Sequence, residues 1–268
     1  MHGPIALLSE LAPFAGLPYW AIACVFASHF LGFFIRGAFG FGSNMPIVLL
    51  TAWLLEPHHA ILLVVFTAAS AQIHLFPQGF GAADWQVTKP LIVGMFIGVA
   101  LGTWLFTVLA ADWLLLVMGV VITMIVAMDR MRLLERMTRW IDLRSRAVTS
   151  SLALFSGTVG TVSGGGGLYF LVVYLKLACK TAESLRGTNL ILSGFFILIR
   201  VLLLLPTGLI TGQLLAEAVL LLPAVFLGTW AGTRAFHLTE PRRFYDALQI
   251  LLFLAAIALM VRGILKLI

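Results

Sequence analysis

The chain has 268 residues, of which 61% are apolar and 10% charged, with 17 Lys and Arg against 11 Asp and Glu. A soluble domain carries about 45–50% apolar and about 25% charged residues, so this composition excludes a water-soluble globule and describes an integral membrane protein. The net charge of +6 does not mark a nucleic-acid partner, because the basic residues fall between apolar runs instead of lining a polar surface.

A bilayer core of roughly 30 Å needs about 20 apolar residues per helix. In chain order, residues 19–35, 60–76, 88–110, 113–128, 185–205, 213–236 and 244–260 are each predicted to cross. The start, MHGPIALLSELAPFAGLPYW, lacks the basic opening and cleavage pattern of a signal peptide, and the chain is read as mature. Three shorter apolar pieces, 46–55, 148–162 and 168–175, flank two glycine-dense stretches at 36–46 and 157–167. Glycine and proline at that density break a helix, and broken backbone survives in a bilayer only where protein or a water-filled cavity surrounds it. Cys24 and Cys179 show no CxxC or Cys/His spacing, so the pattern asks for no zinc, other metal or cofactor.

If each broken pair is a hairpin that enters and leaves on one side, and the basic linker 129–147 lies in the cytoplasm, every other loop has a forced side. Thirteen Lys and Arg then fall inside and only Arg262 and Lys266 outside, with Arg36 and Arg200 within apolar segments. That bias favours the hairpins, since counting the breaks as crossings would put basic loops outside. The linker, with Met131, Leu134, Met137 and Ile141 at a helical period among arginines, is expected to lie along the inner membrane surface. Both termini are placed outside.

The walk gives a hairpin plus three crossings in residues 1–128 and the same in 148–268. Three is odd, so the halves are expected to be inverted. Leu101-Gly102-Thr103-Trp104 recurs as Leu227-Gly228-Thr229-Trp230 at an offset of 126, and Gly40 and Gly42 match Gly164 and Gly166 at 124. The predicted fold is all-α: two inverted-topology repeats, each with a Gly-rich re-entrant hairpin and three transmembrane helices. Inverted repeats with discontinuous segments characterise secondary transporters, whose sites lie between the halves.

At the glycine stretches the chain resembles the TauE/SafE family of sulfite exporters and related anion permeases. The resemblance rests on Gly37, Gly40, Gly42, Ser43, Asn44 and Pro46 in the first stretch, on Ser163-Gly164-Gly165-Gly166-Gly167 in the second, and on Arg186-Gly187-Thr188 as an R-x-T element. It covers nearly the whole chain, including the basic linker. Ser43 and Asn44 stand where the family's first motif has glycines, and the proline expected after the second motif is absent. The resemblance implies export of sulfite, an organosulfonate or a similar sulfur oxyanion across the cytoplasmic membrane.

The candidate substrate contacts follow from where donors and positive charge fall. Gly42, Gly164, Gly165 and Gly166 would present backbone N–H groups and helix N-termini to an anion, and Ser43, Asn44 and Ser163 add side-chain donors. The rows Gly94, Gly98, Gly102 and Gly228, Gly232 are read as helix packing. Arg200, ten residues past Leu190, is placed near the midplane, where an arginine costs roughly 2.5–3.5 kcal/mol even on the lenient insertion scale. The predicted spans are read as free of Asp and Glu, so no paired carboxylate is expected to offset it. Arg36 either reaches the cavity or snorkels to an interface. His74, with Gln72, lies in the second crossing and either carries a coupling proton or is structural. Asn189 opens a later crossing. The substrate is therefore expected to be a small anion moved through the lipid bilayer by a transporter, not an enzyme, since only His74 is identified as available for intramembrane chemistry. An anion channel or a permease for another anion such as a carboxylate is the alternative, and self-association is left open.

Overall fold

A computed structural model describes residues 12–40, 42–131, 145–165, 168–235, 257 and 260–265. The described elements are α1 (Tyr19–Phe39), α2 (Asn44–Thr51), α3 (Pro57–Phe80), α4 (Trp85–Val108), α5 (Ala111–Arg130), α6 (Arg146–Val162), α7 (Leu168–Ala178), α8 (Ala182–Leu204), a 3-10 turn (Leu205–Thr207) and α9 (Gly212–Ala235). No strand occurs among the described residues. Five spans there are long and apolar enough to cross a membrane: Tyr19–Ala38, Pro57–Phe80, Trp85–Val108, Ala182–Thr207 and Gly212–Ala235. The expected crossing at 244–260 and most of the linker 129–147 lie outside the described residues.

Capping residues set where the helices begin. Glu56 accepts from the backbone N–H of His59 at 2.9 Å ahead of Pro57, Asp84 accepts from Gln86 N–H at 3.0 Å, and Thr181 accepts from Ser184 N–H at 3.1 Å. Each satisfies an orphan donor of the first turn. These three helices therefore start at Pro57, Trp85 and Ala182, three residues before the apolar windows at 60, 88 and 185, because a cap is polar and hydropathy does not register it.

Two helix pairs pack most extensively, α4 on α6 and α1 on α9. Both use glycine to bring backbones together. A Cβ at Gly94 would stand 2.7 Å from the Ser150 carbonyl oxygen, one at Gly102 2.6 Å from that of Thr158, and one at Gly228 2.5 Å from that of Phe30. No side chain fits at such a contact, which agrees with reading these rows as packing. The opposite face of α4 exposes Val93, Ile97, Leu101, Trp104 and Val108. This apolar stripe at helical spacing needs lipid rather than water against it.

α3 and α8 pack together in the interior, α8 also meets α4 and α9 also meets α3, while α2 touches α1 and α3 and α7 touches α6 and α8. Exchanging α1–α4 with α6–α9 sends the α3–α8 pairing onto itself and each of the others onto another of the set.

The first interruption comes later than the glycine stretch suggests. α1 runs on through Arg36 and Gly37 to Phe39, because an isolated glycine only weakens a helix whereas a left-handed residue ends it. Gly40 is that residue, with φ 78° and its N–H donating to the Arg36 carbonyl at 2.7 Å. α2 then returns along α1, with Ser43 and Ile47 against Gly32. In the second stretch Gly164 and Gly165 take φ values of 72° and 121°. The two interruptions abut. A Cβ at Gly164 would stand 2.8 Å from Val48 Cγ2 on α2, and one at Gly165 would meet Asn44.

Candidate functional site

Arg36 lies in the last turn of α1 and is buried. One of its terminal nitrogens donates to Gln72 Oε1 on α3. The other lies 3.4 Å from Ser43 Oγ, and Nε has no partner among the described residues. The Ser43 hydroxyl donates to Asn44 Oδ1 at 2.8 Å. Gln72 is held from its far end, where Nε2 donates to the Leu190 carbonyl of α8 at 2.7 Å. Gly194 makes room for that amide, since a Cβ there would stand 2.9 Å from Gln72 Nε2. Asn189 Nδ2 donates to the Gly40 carbonyl at 2.8 Å, and Arg186 donates to the Gly37 carbonyl at 3.2 Å. α1, α2, α3 and α8 are thus tied together by buried polar contacts at the point where Gly164 and Gly165 approach α2.

The electrostatics of this cluster are one-sided. The hydrogen-bond partners of Arg36 among the described residues are neutral, and none of the described ion pairs includes it. Withdrawing a guanidinium from water costs several kcal/mol after relaxation, and neutral hydrogen bonds return only part of it. An oxyanion would return more, because the planar fork matches two of its oxygens.

The structure brings some of the expected site residues together and sets others apart. Arg36, Ser43, Asn44, Gln72, Asn189, Gly164 and Gly165 gather in or against the cluster, and Gly42, with φ 90°, forms the link between Gly40 and Ser43. Ser163 is buried nearby, but its hydroxyl donates to the Val159 carbonyl at 2.6 Å. Gly166 lies outside the described residues. His74 is exposed on α3, two residues from Gln72 and therefore turned roughly 200° away from it.

Arg200 stands apart from this cluster, toward the far end of α8. α8 begins at Ala182 and ends at Leu204, so Arg200 lies four residues from its end. It is about 15 Å along the axis from Leu190, the residue level with Gln72. Its side chain is fully buried with the guanidinium carbon 5.4 Å from the centre of the Phe106 ring. Nε and both terminal nitrogens have no hydrogen-bond partner among the described residues. A cation–π contact gives about 2 kcal/mol when desolvated, which leaves most of the burial cost of this charge unmet.

Two buried ionisable groups escape the sequence reading. Glu217 lies inside the 213–236 window, where one acid is lost in the apolar average, and is a buried intramembrane carboxylate. It accepts from Phe14 N–H at 2.9 Å, from Gln213 Nε2 at 2.9 Å and from His59 Nε2, and bonds to neither Arg36 nor Arg200 among the described residues. His29 sits midway along α1, fully buried, with Nδ1 2.8 Å from the Val25 carbonyl and Nε2 unpartnered among the described residues. Its spacing from Val25 and Phe33, both buried, is the one sequence signal that places it on the inward face.

A groove of about 340 Å³ between α3 and α8 has Gln72 at its floor and Ile73, Phe76, Phe195, Leu198 and Val201 among its walls. Ile73 and Leu198 are exposed apolar residues, so the groove belongs to the lipid-facing surface, and the Gln72 amide is already committed to Arg36 and Leu190.

No curated protein and no solved structure matches the chain. Residues 24–259 match the family model described as sulfite exporter TauE/SafE, a stretch that runs from within α1 through α9 and takes in both glycine breaks. With its apolar spans and its buried basic cluster, the chain belongs to the TauE/SafE family of membrane transporters.

Proposed function

We propose that the protein is a secondary transporter that exports a small sulfur oxyanion, sulfite or an organosulfonate, across the cytoplasmic membrane, and that the anion binds at the Arg36 cluster. The observation that carries this reading is a buried guanidinium at the junction of the two breaks, ringed by neutral donors and acceptors with Nε left over. The family match supports the class of cargo. The exchange-symmetric pairing of α1–α4 with α6–α9 supports two repeats, residues 1–128 and 148–268, each opened by a re-entrant hairpin and inverted relative to the other. With the linker 129–147 in the cytoplasm by its arginines, both termini lie outside.

The test is reconstitution into proteoliposomes loaded with labelled sulfite. A carrier gives efflux that saturates with internal sulfite and is abolished by Arg36→Gln in a protein that still folds. Efflux that never saturates would make the protein a channel. A panel of methanesulfonate, isethionate and acetate as competitors separates a sulfur oxyanion site from a carboxylate site. Single cysteines in a cysteine-free background fix the orientation: position 139 should react only from the cytoplasmic side and position 56 only from the outside.

A further inference from the structure

We propose that Arg200 forms a second anion station, separate from the Arg36 cluster and close to the α8 end that leads into Pro206, so that the anion meets two guanidinium groups in succession. This rests on the reading of the chain as an anion transporter and adds a place on its path. Arg200 is wholly buried, and none of its three guanidinium nitrogens has a partner among the described residues. The Phe106 face, 5.4 Å away, attracts the charge but takes none of its N–H donors.

Two of the described carboxylates at this end, Glu56 and Glu217, are already engaged. Glu56 accepts from the His58 ring at 3.0 Å and from His59 N–H at 2.9 Å, and Glu217 accepts from Phe14, Gln213 and His59. His58 is fixed with its ring 4.9 Å from Phe106 and Nε2 3.1 Å from the Phe106 carbonyl. Thr103, one turn before Phe106 on α4, has a buried hydroxyl that is also unpartnered among the described residues. A planar fork with all its donors free suits an oxyanion such as sulfite. Two stations about 15 Å apart along α8 also answer a requirement of transport. Each binds strongly enough to draw the anion in, yet the step between them lets it leave.

Thermal unfolding of the full-length protein in detergent, titrated with sodium sulfite in gluconate buffer, tests the second station directly. With the inner cluster disabled by Arg36→Gln, sulfite should still raise the melting temperature, and adding Arg200→Gln should remove that rise. In proteoliposomes Arg200→Gln alone should slow sulfite efflux by about tenfold or more, as loss of a charge-assisted contact implies. Equal protection of the single and double variants, or no protection of a folded Arg36→Gln protein, would overturn the proposal. So would wild-type efflux from Arg200→Gln. Should that variant fail to fold, Arg200→Lys keeps the charge without the fork: weakened sulfite protection supports the station, and unchanged protection overturns it. Wild-type vesicles that move no sulfite, with Arg200-dependent protection intact, would reject the transport reading and leave the anion station standing.

Discussion

Gly165 in the second break rests on the side chain of Asn44 at the first: a Cβ at 165 would stand 2.7 Å from the Asn44 Cβ, on a backbone with φ 121°. Contact and conformation both require glycine there. Gly165→Ala should push the breaks apart and destabilise the protein by about 1–3 kcal/mol. A lowered melting temperature together with reduced sulfite efflux per folded molecule is the expected result. An alanine variant with wild-type stability would mean that the breaks do not need each other.

Gln72 bridges Arg36 to the Leu190 carbonyl. Gln72→Leu leaves a buried Arg36 donor unpaired, costing about 1–3 kcal/mol, so yield and efflux should both fall. Gln72→Glu is more discriminating. A carboxylate beside Arg36 neutralises the charge that would hold an anion, so the protein should fold at least as well as wild type while sulfite binding is lost. Sulfite protection in a melting assay separates the two outcomes.

The α4–α6 seam should tolerate no side chain. Gly102→Val would drive a branched side chain toward the Thr158 carbonyl, where even a Cβ comes within 2.6 Å, and folded protein on size-exclusion chromatography should fall sharply. Gly81, with nothing within 4 Å of its Cβ position and an ordinary helical backbone, is the control. Gly81→Ala should leave yield and efflux unchanged.

Glu56 links stability to the pH outside the bilayer core. Burial pushes its carboxyl up, but the hydrogen bonds from the His58 ring and the His59 N–H more than offset that and hold it below its ordinary value. A group depressed in this way stabilises the fold above its unfolded pKa of about 4.3, and the contribution disappears as pH falls through the lower folded value. Melting curves of Glu56→Gln and wild type should therefore converge as the buffer is made acidic. A constant gap at all pH values would reduce Glu56 to a neutral cap.

The sequence was sufficient for the apolar helices, the glycine interruptions and the packing rows at Gly94, Gly98 and Gly102, because bilayer length and helix geometry act on contiguous residues. It erred by three residues at helix starts, where polar caps rather than hydropathy decide. It grouped His74 with Gln72 as a candidate contact, although His74 is exposed on α3 while Gln72 is buried. Only the tertiary structure decided which buried groups meet. Arg36 finds Gln72 across 36 residues and Asn189 finds Gly40 across 149, Glu217 finds His59 and Phe14, and Arg200 is left against Phe106. Those partnerships are set by how helices cross and which face each one turns inward. A uniformly apolar helix turns by packing against its neighbours, so its own sequence carries little record of the side on which a lone polar residue ends.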